Sequence, residues 1–276
     1  MTFSIVARDG DAFGVAVASK FLAAGAIVPG VRTGVGAVAT QSFARVAYIP
    51  ELLDALAGAT SAPSATSAPS AADALAAATA ADPERGSRQV GVVGASDAAT
   101  FTGADCVPWA GGRTGPGYAV QGNMLTGPEV VEEMERAFIA DADAPLARRL
   151  VAALLAGDAA GGDSRGRQSA AVYVAAPGLG YDHCGVVDLR VDDHPAAPSE
   201  LARIHAEWEL YFGAPEDVVP LAGPLEAEVR ERLRALGFRD EPTSLALERW
   251  AGEVNLEMRL TPDGIDGRVL EFLRGA

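Results

Sequence analysis

Lysine is nearly missing from this chain: of its 22 basic residues 21 are Arg and one is Lys, at position 20. Cysteine is as scarce. Cys106 and Cys184 are too few and too far apart for a disulfide framework or a zinc knuckle, and they read as small, partly buried hydrophobes. Aromatics make up 6% of a chain that is 49% hydrophobic, so Ala and Val carry the apolar mass and the interior is expected to be tight layers of small side chains. No run reaches the roughly 18 apolar residues of a spanning helix. The first ten residues hold no basic leader, and together these absences give the expectation of a cytoplasmic chain with no membrane partner. Basic charge is outnumbered by 37 acids, leaving −15, a balance that repels phosphate backbones and argues against nucleic acid. Length, at 276 residues, suits one large domain or a large one with a small one.

The pattern opens as a hairpin. Thr2 to Arg8 alternates, Asp9-Gly10-Asp11 supplies turn chemistry, and Ala12 to Ser19 resumes as a second strand. Gly30 to Gln41 reads as one Gly-punctuated strand, and helices are expected near Pro50–Leu56 and Ala71–Ala81. Between those helices a tandem hexapeptide, residues 60–71, has no apolar face and reads as a surface insertion without a chemical role. Strands are expected at Arg88–Val93, Ala99–Ala104 and Tyr118–Gln121. A helix then opens at Gly127-Pro128-Glu129 with Val130, Val131, Met134 and Phe138 on one face. The glycines of Gly111–Gly117 read as a mobile turn. A further helix over Ala144–Ala156, stopping at Gly157, precedes strands at Gln168–Ala175 and Gly185–Arg190. Strands in pairs and helices in pairs do not build a doubly wound parallel sheet. They fit an α+β sandwich of two antiparallel sheets with helices outside. After Asp192-Asp193-His194-Pro195 the composition turns to charged helix, which divides the chain into a domain at 1–195 and a small helical module at 200–276.

Candidate chemistry begins at Thr2. Removal of the initiator Met would leave one residue carrying a free α-amine and a hydroxyl, a self-contained base and nucleophile at the head of a buried strand. Lys20, the single lysine, ends the partner strand. It is either a solvated strand-end charge or an amine near enough to Thr2 to tune it. Thr40-Gln41-Ser42 and Gln121-Gly122-Asn123 read as polar turns after buried strands; Thr40 and Gln41 are candidates to meet substrate, and the Asn123 amide to donate to an oxyanion. Asp163, Arg165 and Arg167, in the glycine-rich stretch before Gln168, look like a carboxylate-binding loop. No HExxH, CxxC or paired-His spacing marks a metal, and no cofactor is called for.

Taken together, Thr2–Arg8, Val17–Phe21, Gly34–Gln41, Arg88–Val93, Tyr118–Asn123 and Gly161-Gly162-Asp163 with Arg165–Ala170 resemble the bacterial domain-of-unknown-function family numbered 1028. That family is grouped with the N-terminal nucleophile hydrolases. The resemblance implies a four-layer α/β/β/α fold, a nucleophile role for Thr2, and for Lys20 the part of the strand-borne lysine of proteasome-like members. Residues 200–276, through Arg249-Trp250-Ala251 and Glu253, Asn255, Leu256 and Glu257, are similar to a peptidoglycan-binding domain often appended to the family.

Two readings follow. One is an amidohydrolase acting on a small-molecule amide through Thr2, with Arg165 or Arg167 holding a substrate carboxylate. The other is a non-catalytic binding protein on the same scaffold, its tail engaging glycan, peptide or a protein partner. Self-association as a homo-oligomer is left open.

Overall fold

Small, aromatic and β-branched residues buried on both faces make the first two strands, β1 (Thr2–Asp9) and β2 (Ala12–Ser19), which pair with Phe3 opposite Ala18 and Asp9 opposite Ala12. Gly10, at φ 55°, takes the left-handed turn conformation that a side chain would resist. The computed structural model describes residues 2–61, 70–180, 185–262 and 264–276. Most of the hexapeptide repeat and the His183-Cys184 pair lie outside the described residues.

Eight further strands follow: β3 (Pro29–Arg32), β4 (Gly36–Ser42), β5 (Arg88–Val93), β6 (Ala98–Thr102), β7 (Gly111–Gly115), β8 (Tyr118–Asn123), β9 (Ser169–Ala175) and β10 (Val186–Val191). They form a six-stranded sheet in the order β10-β9-β2-β1-β8-β7 and a four-stranded sheet in the order β3-β4-β5-β6, with every pairing antiparallel. On the outer face of the larger sheet pack α3 (Glu129–Ala140) and α4 (Leu146–Ala159); on that of the smaller sheet pack α1 (Tyr48–Ser61) and α2 (Ala71–Ala80). The layers are therefore α/β/β/α.

Three expectations are corrected here. Gly30–Gln41 is two strands, β3 and β4, joined by a turn in which Gly34 has φ 70°. Gly111–Gly117 is not a mobile turn but the edge strand β7 and its turn, laid along β8 with Gly111 opposite Gly122; Gly115 leaves room for the Tyr118 ring. Gly157 does not stop α4. It lies inside the helix because Met134 and Phe3 pack where a β-carbon would stand, and the helix continues to Ala159. The α3 face is as read: Val130, Val131, Met134 and Phe138 are all buried.

Compactness divides the chain into Met1–His205 and Ala206–Ala276, a division inside α5 (Ala197–Phe212). In the second unit α6 (Gly223–Ala235), α7 (Thr243–Glu253) and α8 (Gly267–Gly275) enclose Val229, Leu233, Leu247, Trp250, Leu256 and Val269. A fully buried ion pair, Arg259 Nη2 to Asp266 Oδ2 at 3.0 Å, ties that core together. Asp266 also accepts from the Arg268 and Val269 amides and so caps α8. Burial opposes the Asp266 charge, but Arg259 and the amides outweigh it and hold the carboxyl below its usual range. Among the described residues no helix is long and apolar enough to cross a membrane.

Candidate active site

Strand period decides which side chains meet between the sheets. In β1, Phe3 faces the helices, touching the α4 turn at Gly157, while Ser4 and Val6 face the second sheet, and Thr2 shares their side. The same parity places Ser19 with Val15 and Val17 in β2, Gln41 with Ala37 and Ala39 in β4, Gln89 with Val93 in β5, and Gln121 with Ala119 in β8. One end of the layer is thus Val and Ala, and the other is hydroxyl and amide.

At that polar end Thr2 Oγ1 lies 3.1 Å from Ser19 Oγ, both residues buried. Beneath them Ser4 Oγ donates to Gln41 Oε1 at 2.6 Å and accepts from Gln121 Nε2 at 2.7 Å. Gln41 Nε2 donates to Gln89 Oε1 at 2.8 Å and to the Thr2 carbonyl at 3.3 Å. Gln89 Nε2 reaches the Gly122 carbonyl at 2.7 Å. Among the described residues Gln121 Oε1 finds no hydrogen-bond partner, and Gly91 makes its space: a β-carbon there would stand 2.2 Å from it. A connected amide ladder of this kind fixes rotamers, because any broken link leaves a buried polar atom unpaired.

The residues singled out from the sequence are distributed as follows. Asn123 lies directly across from Thr2, and its Nδ2 donates to Gln89 Oε1 at 2.8 Å. Gln41 is in the ladder. Thr40 faces the other way, where its hydroxyl accepts from the Arg45 amide at 3.2 Å and steadies the turn after β4. Thr40-Gln41-Ser42 and Gln121-Gly122-Asn123 are strand ends rather than turns. Lys20 is exposed; its Nζ donates to the Arg167 carbonyl at 3.2 Å and its amide to Asp163 Oδ2 at 2.9 Å. Asp163 is buried and takes Arg165 at both oxygens, 3.2 and 3.1 Å. Arg167 Nε is held by Asp158 at 2.5 Å. Each loop guanidinium therefore already has a carboxylate of this chain beside it. Asp158, Asp163, Arg167 and Ser19 together line a cavity of about 60 Å³.

Ser19, Gln89 and Gln121 join the site beyond the residues expected from the sequence. Ser19 was legible: a turn at Gly10-Asp11 pairs residues whose numbers add to those of Asp9 and Ala12, which sets Thr2 against Ser19, not Lys20. Gln89 shows only as an amide at an inward position of a strand rich in Val.

A second, larger cavity of about 370 Å³ opens beside Thr2 and is lined also by Phe21, Ile27, Val28, Phe43 and Arg88. Arg88 Nε donates to Asp82 Oδ2 at 3.1 Å, its Nη2 to Glu84, and its Nη1 to the Phe43 carbonyl at 2.8 Å. The Tyr48 hydroxyl donates to the same Asp82 oxygen at 2.8 Å. Burial opposes the Asp82 charge, yet the Glu84 amide, Tyr48 and Arg88 together keep its carboxyl below the usual range. Burial and that hydrogen bond push the Tyr48 hydroxyl up to about 12. Among the described residues no group of three or more His, Cys, Asp or Glu is placed to hold a metal.

Fold and site define a layered α+β protein whose central strand begins with a buried threonine at the lip of an apolar cavity. The chain belongs to the family described as "Family of unknown function (DUF1028)", whose model matches residues 2–201. Residues 211–273 match the model described as "Putative peptidoglycan binding domain". Among solved structures, the crystal structure of protein SPO2555 from Silicibacter pomeroyi, titled with the same family, is 28% identical with a TM-score of 0.65, covering 82% of this chain and 92% of that one. Eukaryotic HslV from Trypanosoma brucei is 10% identical with a TM-score of 0.41, over 62% of this chain and 98% of that one. No curated protein matches the chain.

Proposed function

We propose that the first unit is an amidohydrolase whose nucleophile is Thr2, freed as the N-terminal residue when Met1 is removed. The observation that carries this reading is Thr2 itself: its buried hydroxyl lies 3.1 Å from a second hydroxyl, and the residue lines a cavity large enough for a substrate group. The resemblance to N-terminal nucleophile hydrolases points the same way. A threonine hydroxyl needs a base at neutral pH, and the α-amine of the same residue supplies one. Thr2 Oγ1 attacks the amide carbonyl, its proton passes through the α-amine to the leaving nitrogen as the C–N bond breaks, and water then cleaves the resulting ester. Ser19 orients the attacking oxygen. Asn123 spends one amide hydrogen on Gln89 and keeps the other for the developing oxyanion.

Lys20, Asp163, Arg165 and Arg167 are positioning residues in this reading: their contacts bind the 163–167 loop to the end of β2 next to Ser19. Gln41 holds the Thr2 carbonyl, and Thr40 holds the turn that follows. The test is intact mass spectrometry of the purified chain together with a Thr2→Ala variant assayed on small amides. The expected result is loss of Met1 and loss of turnover at an unchanged melting temperature; retention of Met1 in active protein would sink the mechanism.

A second activity belongs to the tail. The peptidoglycan-binding match over 211–273 favours binding of glycan or its peptide by the second unit, tested by sedimentation of the full chain with purified peptidoglycan.

A further inference from the structure

We infer that the cavity beside Thr2 is an acyl pocket for an uncharged apolar group, aromatic or medium-chain aliphatic, so that the amides cleaved here are N-acyl compounds with a hydrophobic acyl half. The inference rests on the Thr2 reading and narrows it. Apolar side chains, Phe21, Ile27, Val28 and Phe43, form much of the wall. The volume, about 370 Å³, is more than twice the ~150 Å³ of an apolar cavity that holds benzene.

Two of those rings are exposed, Phe21 at 54% and Phe43 at 68%, although burying a Phe gains about 1.5–3 kcal/mol. Neither sits on a loose backbone. The Phe21 carbonyl accepts from Ser169 Oγ at 2.6 Å, and the Phe43 carbonyl accepts from Arg88 while its amide donates to the Ser87 carbonyl at 3.2 Å. Ser42, at φ 67°, turns the chain out of β4 just before Phe43. Rings held open on fixed backbone, lining a cavity that Thr2 also lines, match an apolar ligand entering from solvent.

Charge points to the same class. Arg88 is the one charged side chain lining the cavity among the described residues, and it is occupied by Asp82 and Glu84. The loop arginines line or adjoin the smaller cavity instead and carry their own carboxylates. An anionic acyl group would therefore lose water here and meet no side-chain cation that lacks a carboxylate of its own. In the reaction the acyl carbon moves from the amide nitrogen to Thr2 Oγ1. The hydroxyl proton leaves with the amine, and one water then restores the hydroxyl and releases the carboxylic acid.

The experiment uses the full chain with Met1 removed and three p-nitroanilides, octanoyl, acetyl and succinyl. Expected is a kcat/KM for the octanoyl compound at least ~30-fold above both others, and at least a tenfold fall in the octanoyl-to-acetyl ratio for Phe43→Ser, whose exposed position spares the fold. In parallel, octanamide and acetamide are titrated calorimetrically into the Thr2→Ala variant, where octanamide alone should bind. Acetyl or succinyl turnover equal to octanoyl overturns the acyl pocket and leaves the nucleophile standing. Octanamide binding without any turnover keeps the pocket and removes the nucleophile; neither binding nor turnover overturns both.

Discussion

At one end of the layer between the sheets Val6, Phe13, Val15, Ala37, Val93 and Ala119 close on one another with apolar side chains; at the other end Thr2, Ser4, Ser19, Gln41, Gln89 and Gln121 close with hydrogen bonds. The strands are the same, and the inward parity is the same. The apolar end gains by removing surface from water, a gain without direction that tolerates small shifts. The polar end gains only if each amide faces its partner, so it dictates orientation and holds Thr2 in one place. Stability and positioning are thus separated along single strands, a few residues apart.

That separation can be broken from either end. Phe13→Ala, at the apolar end, is expected to cost about 3–5 kcal/mol in denaturant unfolding while leaving kcat on an octanoyl amide unchanged in the protein that remains folded. A parallel loss of kcat would show that the two ends are not independent. Ser19→Ala, at the polar end, should weigh the other way: kcat falls about 10²-fold, roughly 2.7 kcal/mol of barrier, with an altered pH profile and a stability loss of only about 1 kcal/mol from the Thr2 hydroxyl left without this partner. Ser19→Thr, which keeps the hydroxyl, should recover most of the rate.

Gly91→Ala strikes where the halves adjoin. Its β-carbon would meet Gln121 Oε1 at 2.2 Å, so the amide must leave the ladder, at an expected cost of about 2 kcal/mol in urea unfolding together with a slower kcat. If only stability fell, the ladder would be mere support. The smallest effect is at the flank. Tyr48 is held protonated up to about 12, against 10 in the unfolded chain, so its contribution is complete below pH 10 and disappears as pH rises from 10 towards 12. Tyr48→Phe should cost about 1 kcal/mol near pH 8 and flatten the decline of stability between pH 10 and 12, measured by denaturant midpoints.

The hairpin of β1 and β2 was legible because alternation and turn chemistry agree over Thr2–Ser19, and the α3 face because four apolar residues recur at helical spacing. Strand β7 was not legible: a glycine-rich edge carries no periodic signal and is made a strand only by the backbone groups of β8. Lys20 drew attention through its rarity, yet its amine is held at the Arg167 carbonyl, and the residue that meets Thr2 is the unremarked Ser19. For the loop arginines the residue types suggested an anion site. Their distances to Asp158 and Asp163 show how the chain meets its own charges first.

By itself the sequence determined the order of strands and helices apart from β3 and β7, the antiparallel layering and a threonine at the head of the first strand, since these follow from local periodicity and turn residues. Only the tertiary structure decided that Gln41, Gln89 and Gln121 form one ladder, that the Thr2 hydroxyl faces Ser19, and that its cavity is apolar. Those residues come from strands separated by tens of positions, and a hydrogen bond or a cavity wall exists only once distant strands are stacked at a fixed register.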